Sequence, residues 1–360
     1  MTHAALAGDV HADLCVIGLG GSGLTCVREA LRLGARVVGI DVACVGGGAA
    51  GRNGGFLLAG LAHFHHDAVA RYGRVRARTL YHHTREELDR IAMDTPDGVV
   101  RNGSLRIAES DDEMIDCHAH LAALRADGFE AEEYSGAEGR GLLITGDGSF
   151  QPLTRCHALA ALAVREGAML HEQSPALAID TALVRTTHGR VHCRHVVIAV
   201  DGGLERVLPE LAPRVRSARL QMLATAPVPA VQVPRPVYAR WGYDYWQQRP
   251  DGAIALGGCR DVGGQSEWTT DATPTVEVQL ALERRLRRLL GVDAAITHRW
   301  AAIVGYTPDG LPVVGEIRPG IWALGGYSGT GNVVGALLGR GVARALYASD
   351  ASIVRAFSAC

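Results

Sequence analysis

The chain has 360 residues, 48% of them hydrophobic and 21% charged, with a formal net charge of −2. That balance indicates a packed core in one large or two ordinary domains, and it excludes disorder and any electrostatic case for nucleic acid or an anionic membrane. No apolar run approaches the ~18–20 residues that span a bilayer, and residues 1–12 form neither a basic nor an apolar leader, so a cytoplasmic setting is expected.

Eight cysteines are scattered with no C-x-x-C pair, which predicts reduced thiols rather than a disulfide scaffold. His63-x-His65-His66 and His82-His83 lack cysteine or acidic partners at ligand spacing, so no metal is expected. All 36 basic residues counted as Lys or Arg are arginine. With no lysine, Schiff-base chemistry and a Walker-type phosphate lysine are excluded.

The first organised stretch runs from Asp13 to Asp41. Leu14–Ile17 reads as a buried parallel strand, a helix extends to about Leu33, and a second strand, Arg36–Ile40, ends on Asp41. Between the first strand and the helix, Gly18-Leu19-Gly20-Gly21-Ser22-Gly23 fits G-x-G-x-x-G. The first glycine permits the tight turn, the second admits a pyrophosphate against the backbone, and the third lets helix and strand pack closely. Asp41 stands where a carboxylate accepts ribose hydroxyls, and it disfavours a 2′-phosphate. This is a dinucleotide-binding unit.

A second cluster follows, Gly46-Gly47-Gly48-Ala49-Ala50-Gly51-Arg52-Asn53-Gly54-Gly55-Phe56. Such a run exposes backbone for contact with something flat or bulky. Paired with Gly18–Gly23, the segment Gly51-Arg52-Asn53-Gly54-Gly55 resembles the FAD-dependent D-amino acid oxidase superfamily, most closely its glycine, sarcosine and γ-glutamylputrescine oxidase branch. The resemblance implies an α/β fold, with a Rossmann-like FAD-binding domain of the glutathione-reductase type and a second, mainly antiparallel α+β substrate domain. It also implies that Gly18, Gly20, Gly21, Ser22, Gly23, Asp41, Gly51, Arg52, Asn53, Gly54 and Gly55 contact FAD.

Residues 68–95 predict one long amphipathic helix, with Leu80, Leu88, Ile91 and Ala92 on one face. Strand Ser104–Ala108 precedes Ser110-Asp111-Asp112-Glu113, which suit a helix cap and first turn. Gly146–Pro152 reads as a turn and His157–Glu166 as a helix leading to strand Met169–Glu172. The corner that follows, at Ala176, corresponds in the family to the border of the adenine ring. Strand His195–Val200 runs into Asp201-Gly202-Gly203, where the resemblance puts Gly202 over the ADP moiety.

Prolines recur from Pro209 onward, with strands predicted at Arg219–Ala224, Pro236–Tyr245 and Ala253–Gly257 and a hairpin turn at Arg249–Gly252. A helix, Val276 to about Leu290, packs on this sheet. Alternation puts Trp241, Tyr243 and Tyr245 on one face and Arg240, Asp244 and Trp246 on the other. Tyr245 and Trp246 are expected near the substrate. Arg260, in Gly257-Gly258-Cys259-Arg260-Asp261, is the first candidate to hold a substrate carboxylate and Arg240 the second. Salt bridges to Asp261 or Asp244 are the competing reading. Cys259 is a remote candidate for covalent attachment of the flavin.

The segment Val304–Gly315 resembles the family's T-P-D-G-L-P re-entry into the FAD domain. Strand Ile321–Leu324 then meets Gly325-Gly326-Tyr327-Ser328-Gly329-Thr330-Gly331-Asn332, and helix Val333–Tyr347 follows. The resemblance implies flavin contacts at Gly326, Tyr327, Gly329, Thr330 and Gly331, with the helix N-terminus facing the negative locus of reduced flavin. Asp41 and Asn332 depart from the family pattern, where glutamate and an apolar residue are usual. The expected division is 10–67, 141–211 and 306–350 for the FAD domain, and 68–140 with 212–305 for the substrate domain.

Only one phosphate-binding fingerprint is present, so the organic substrate itself is the expected electron donor. Flavin chemistry fits oxidation of an amine or amino acid, with hydride transfer to N5 and hydrolysis of the imine. Sarcosine-type oxidases use a lysine beside the flavin to activate O2. This chain needs another cation for that, or an acceptor other than O2. The alternatives are a flavin monooxygenase reduced externally and a non-catalytic FAD-binding subunit of an oxidase complex. Expected partners are a small amine or amino acid, with no nucleic acid and no membrane span.

Overall fold

The computed structural model describes residues 2–291 and 293–358. The side chain of Leu290 and residue Cys360 lie outside the described residues. Leu14–Ile17 and Val37–Ile40 are buried along their whole length, as their unbroken apolar runs require of central parallel strands. They sit in a six-stranded sheet ordered Met169–His171, Val37–Ile40, Leu14–Ile17, His195–Ile198, Ile321–Gly325, Val313–Arg318. All neighbours pair in parallel except the last two.

Helix Gly21–Arg32 covers one face together with helix Val334–Tyr347, at very close range. A Cβ on Gly339 would lie 2.2 Å from the Ser22 carbonyl oxygen. Ion pairs stitch the helical layer from within. Arg340 is bidentate to Glu87 at 3.0 Å through Nε and one terminal nitrogen, and its other nitrogen reaches Glu29 at 3.0 Å. Arg28 likewise joins Glu166 at 2.7 Å and Asp94 at 3.2 Å.

The second large sheet has eight strands, ordered Ile296–Tyr306, Arg216–Pro227, Ala253–Gly257, Asp244–Gln248, Val237–Ala239, Ser104–Ala108, Gly139–Ile144, Glu132–Gly136. Its pairings are antiparallel apart from that of Val237–Ala239 with Ser104–Ala108. Helix Val276–Leu290 packs on one face through Val278, Ala281, Leu282 and Leu286. The other face is turned to the loops of the six-stranded part. The boundary expected between 140 and 141 falls inside strand Gly139–Ile144, all of which belongs to this sheet.

Three local expectations differ from what is observed. The helix predicted over 68–95 is two helices, His65–Tyr72 and Arg74–Asp94, because Gly73 takes φ +80° between them. The 146–152 turn contains strand Gly148–Phe150, and the helix after it starts at Pro152. There Pro occupies the first helical position and the Gln151 side chain accepts the Thr154 N–H. The strand predicted over 236–245 is interrupted at Arg240–Gly242, where Arg240 and Trp241 take φ +52° and +53°. Among the described residues no helix is long and apolar enough to cross a membrane.

Replacing Arg340 with Met would leave the fully buried Glu87 with only the more distant Arg90, 3.7 Å away. The expected loss is about 3–5 kcal/mol in urea unfolding, whereas a surface pair such as Arg249–Asp251 should contribute less than about 1 kcal/mol.

Candidate active site

Two cavities meet between the sheets. The larger, ≈600 Å³, begins at the G-x-G-x-x-G turn and ends at the 325–332 loop. Gly18, Gly20, Gly21, Ser22, Asp41, Arg52, Asn53, Ala176, Gly202, Tyr327, Gly329 and Gly331 all line it. Gly54 and Thr330 line the neighbouring cavity instead. Gly23, Gly51, Gly55 and Gly326 line neither and sit in close packing. A Cβ on Gly23 would lie 1.9 Å from the Gly18 carbonyl oxygen, so only glycine lets the helix start this near the strand.

Asp41 sits at the cavity with its carboxylate accepting the N–H groups of Leu19 and Ala43, each at 2.8 Å. Burial raises its pKa, against the effect of those two bonds. The Glu172 carboxylate, which the sequence did not single out, holds the following loop by accepting Val45 N–H at 2.7 Å.

Asn332 and Asn53 form a clasp. Asn332 Nδ2 donates to Asn53 Oδ1 at 3.0 Å and to the Phe56 carbonyl at 2.9 Å. Asn53 Oδ1 also accepts Gly55 N–H at 2.7 Å, while its Nδ2 donates to the carbonyls of Ala49 and Ala50. These partners fix the orientation of the Asn53 amide, since turning it over would set N–H against N–H. The departure at Asn332 thus joins two glycine loops.

Asp201 joins three more segments. Its carboxylate accepts Tyr327 N–H at 3.0 Å and Gly305 N–H at 3.2 Å at the end of strand His195–Ile198. Burial pushes its pKa up to about 6 despite these bonds.

Arg155 is the cavity residue that sequence reading missed. It is 4% exposed, its Nε has no hydrogen-bond partner, and it makes no ion pair among the described residues. A Cβ built on Gly21 would lie 3.2 Å from one of its terminal nitrogens. A buried, unpaired guanidinium at a phosphate-type turn calls for an anion. One turn into a helix, an arginine looks like any solvated basic residue, so the sequence carried no signal for it.

The second cavity, ≈360 Å³, shares Asn53, Val304, Gly329 and Asn332 with the first. Tyr245 and Arg260 line it, together with Tyr238, Trp241, Tyr243 and Tyr306. Trp246 and Arg240 do not, which departs from expectation. Trp246 is 3% exposed and packs into the core under helix Val276–Leu290, since alternation in strand Asp244–Gln248 turns it away from Tyr245. Arg240 belongs to the positive-φ turn, where alternation does not apply, and it pairs with Asp244 and Asp261.

That pairing still bears on the site. Asp244, fully buried, lies 3.2 Å from Arg240 and 3.0 Å from Arg285, and it accepts Cys259 N–H at 3.0 Å. It thereby holds the left-handed turn at Cys259 that presents Arg260. Cys259 itself lines neither of these two cavities, and burial pushes its thiol up to about 12, so it is no thiolate at neutral pH.

The Arg260 guanidinium lies 4.9 Å from the Trp268 ring centroid, 5.1 Å from Tyr306 and 5.6 Å from Tyr243. It makes no ion pair or hydrogen bond among the described residues. His63 and His120 also line this cavity, and burial lowers the pKa of both, that of His120 far below the ordinary imidazole range. His120 Nδ1 accepts the His65 backbone N–H at 2.8 Å. No aspartate or glutamate lines the cavity.

Fold and cavities together define a dinucleotide-binding protein with a small cation-lined chamber beside the dinucleotide. The family model described as FAD dependent oxidoreductase (DAO) matches residues 13–345, and the chain belongs to that family. The cofactor is FAD. The larger cavity fits it, with backbone at the glycine turns and the unpaired Arg155 guanidinium beside Gly21. The chain is 26% identical to the probable oxidoreductase OrdL of Rhizobium meliloti (strain 1021), over 91% of this chain and 81% of that protein. It is also 26% identical to the gamma-glutamylputrescine oxidoreductase of Escherichia coli (strain K12), over 97% and 86% respectively. The fold is similar to that of glycine oxidase from Geobacillus kaustophilus, with a TM-score of 0.77, 22% identity, and coverage of 94% of this chain and 95% of that one.

The titration of Asp201 gives a signed expectation. Its folded pKa lies above the ordinary 3.8, so between about pH 4 and pH 6 the folded state binds more protons than the unfolded state. Its contribution is fully present below pH 4 and is lost as pH rises through 6, on the order of 3 kcal/mol by pH 7. Urea unfolding of wild type relative to Asp201→Asn at pH 4 and pH 7 should show wild type losing ground by that order.

Proposed function

We propose that the protein oxidises the C–N bond of an amino acid in the ≈360 Å³ cavity, with the substrate carboxylate held by Arg260. The observation that carries this is the bare Arg260 guanidinium in an aromatic cage, in a cavity without acids. A diamine or polyamine would bring positive charge to a wall that offers no carboxylate, whereas a carboxylate completes Arg260 through two parallel N–H···O bonds. Bound FAD would supply the electron sink that accepts hydride from the carbon bearing nitrogen.

Everything else falls to the protein. Arg260 and Arg106, the two guanidiniums of the cavity, lower the pKa of a substrate ammonium, favouring the neutral amine that can be oxidised. Tyr245 and Tyr238, stacked with centroids 5.9 Å apart, form a flat wall against which the substrate is oriented. His63 and His120, held neutral by burial, line the cavity without adding positive charge to it. In the larger cavity Arg155 would neutralise the pyrophosphate, and Asp41 would face the adenosine ribose. The Asn53–Asn332 clasp would hold the backbone beside the ring system. On this reading the six-stranded part holds the cofactor and the eight-stranded part the substrate.

Anaerobic mixing with a panel of amino acids and simple amines should bleach the flavin absorbance with amino acids and leave it unchanged with diamines. Arg260→Gln should lower kcat/KM on the order of 100-fold, mainly through KM. If no amino acid reduces the flavin, the reading fails.

For the cofactor, Arg155→Met should weaken FAD binding roughly 10- to 100-fold, measured by fluorescence during reconstitution of the apoprotein. Riboflavin, which lacks phosphate, should bind the variant and wild type alike.

A further inference from the structure

The substrate-side cavity holds more positive charge than one carboxylate can satisfy. Arg106 lies on strand Ser104–Ala108 and lines the same cavity as Arg260. Its guanidinium stands over two rings, 5.4 Å from the Tyr238 centroid and 5.7 Å from that of Phe64. It makes no ion pair among the described residues, and its buried Nε has no hydrogen-bond partner.

The buried carboxylate whose field reaches Arg106 is Asp147, but it is engaged elsewhere. It accepts Ser104 Oγ–H at 2.6 Å and Ala59 N–H at 2.9 Å, and burial raises its pKa. His120, in the same field, is held neutral. A guanidinium nitrogen is desolvated at a cost unless a partner restores its hydrogen bond, and the described residues provide none to the Arg106 Nε.

Register sets the backbones of the two arginines well apart on the sheet. Arg106 pairs with Tyr238, Tyr238 with Tyr245, and Tyr245 with Gly257, a row three strand spacings wide, or about 14 Å. Arg260 follows three residues after Gly257, at the far end of that row. The aromatic rings of Tyr238 and Tyr245 lie between.

We infer that the cavity takes an amino substrate with two anionic groups, one at Arg260 and one at Arg106, namely an amino dicarboxylate or an N-carboxymethyl amino acid. This rests on the amino-acid reading of the same cavity. A volume of ≈360 Å³, near the lower end for ligand sites, suits a small diacid rather than a peptide.

The test compares diacids with isosteres lacking one charge, in anaerobic reduction of the holoenzyme. The pairs are glutamate with glutamine and aspartate with asparagine, in both enantiomers, and iminodiacetate with sarcosine. The expected preference in kcat/KM is roughly 10- to 100-fold for the diacid of at least one pair. Arg106→Gln should abolish that preference by lowering kcat/KM for the diacid about 10-fold more than for its monoacid isostere, whereas Arg260→Gln should lower both alike. Arg106→Lys, which keeps the charge, should retain part of the preference, and an unchanged flavin spectrum and melting temperature guard against misfolding. Equal rates for both members of every pair, or an Arg106→Gln effect equal on both, would overturn the inference.

A second measurement separates it from the oxidation reading. Glutarate and butyrate are titrated as perturbants of the oxidised flavin spectrum. Arg106-dependent binding of glutarate upholds the two-anion site even if no amine reduces the flavin. Failure of glutarate to bind more tightly than butyrate overturns it.

Discussion

The hydrogen bond from Asn332 to Asn53 clasps two loops that line both cavities. It joins residues 279 apart in sequence, on loops that belong to opposite ends of the chain. Around it, Asp201 ties the end of the central strand to Gly305 and Tyr327, and Glu172 holds the loop at Val45. None of these side chains carries chemistry of its own. Each replaces water at a backbone N–H or carbonyl that would otherwise be left unpaired where loops converge, and so keeps a long cavity open between them.

The same logic governs the charges. Buried arginines away from the cavities are paired, namely Arg28, Arg219, Arg285 and Arg340. Of the arginines that line the cavities, buried Arg155 and the half-buried Arg106 and Arg260 make no ion pair among the described residues, and neither does the exposed Arg52. In a chain without lysine, positive charge can only be placed as a planar fork, which is well matched to carboxylates and phosphates. The contrast between satisfied and bare forks therefore marks where ligands belong. On the proposed reading it divides the site into a pyrophosphate end, with Arg155 at the Gly21 turn, and a substrate end across the aromatic wall.

The turn at Arg240–Gly242 shows how a local irregularity reshapes a site. By breaking the strand it sends Arg240 to Asp244 and Asp261, and leaves Trp241 and Tyr243 at the cavity mouth. Glu113, at the start of helix Asp111–Ala126, pins this turn by accepting Trp241 N–H at 2.7 Å. Asp244 then passes the order on to Arg260 through the Cys259 N–H. The candidate that the sequence ranked second thus positions the one ranked first.

The strand–turn–helix from Leu14 to Arg32, Asp41 and the glycine loops were legible in sequence, because their jobs depend on backbone conformation and period over a few residues. A glycine that must approach a carbonyl, or a run of four buried apolar residues, carries its reason locally. Arg106, Arg155 and the role of Asn332 were not legible. Each depends on which side chains from distant segments fail to meet it or happen to meet it, and local pattern does not encode that. Tyr245 and Trp246 stand between the two cases, since alternation separates their faces but only the packing of helix Val276–Leu290 decides which face is core. The sequence by itself determined the strand, glycine turn and helix of a dinucleotide-binding unit. Tertiary structure alone decided which cations stay unpaired, because the pairing of a charge is a property of the whole fold.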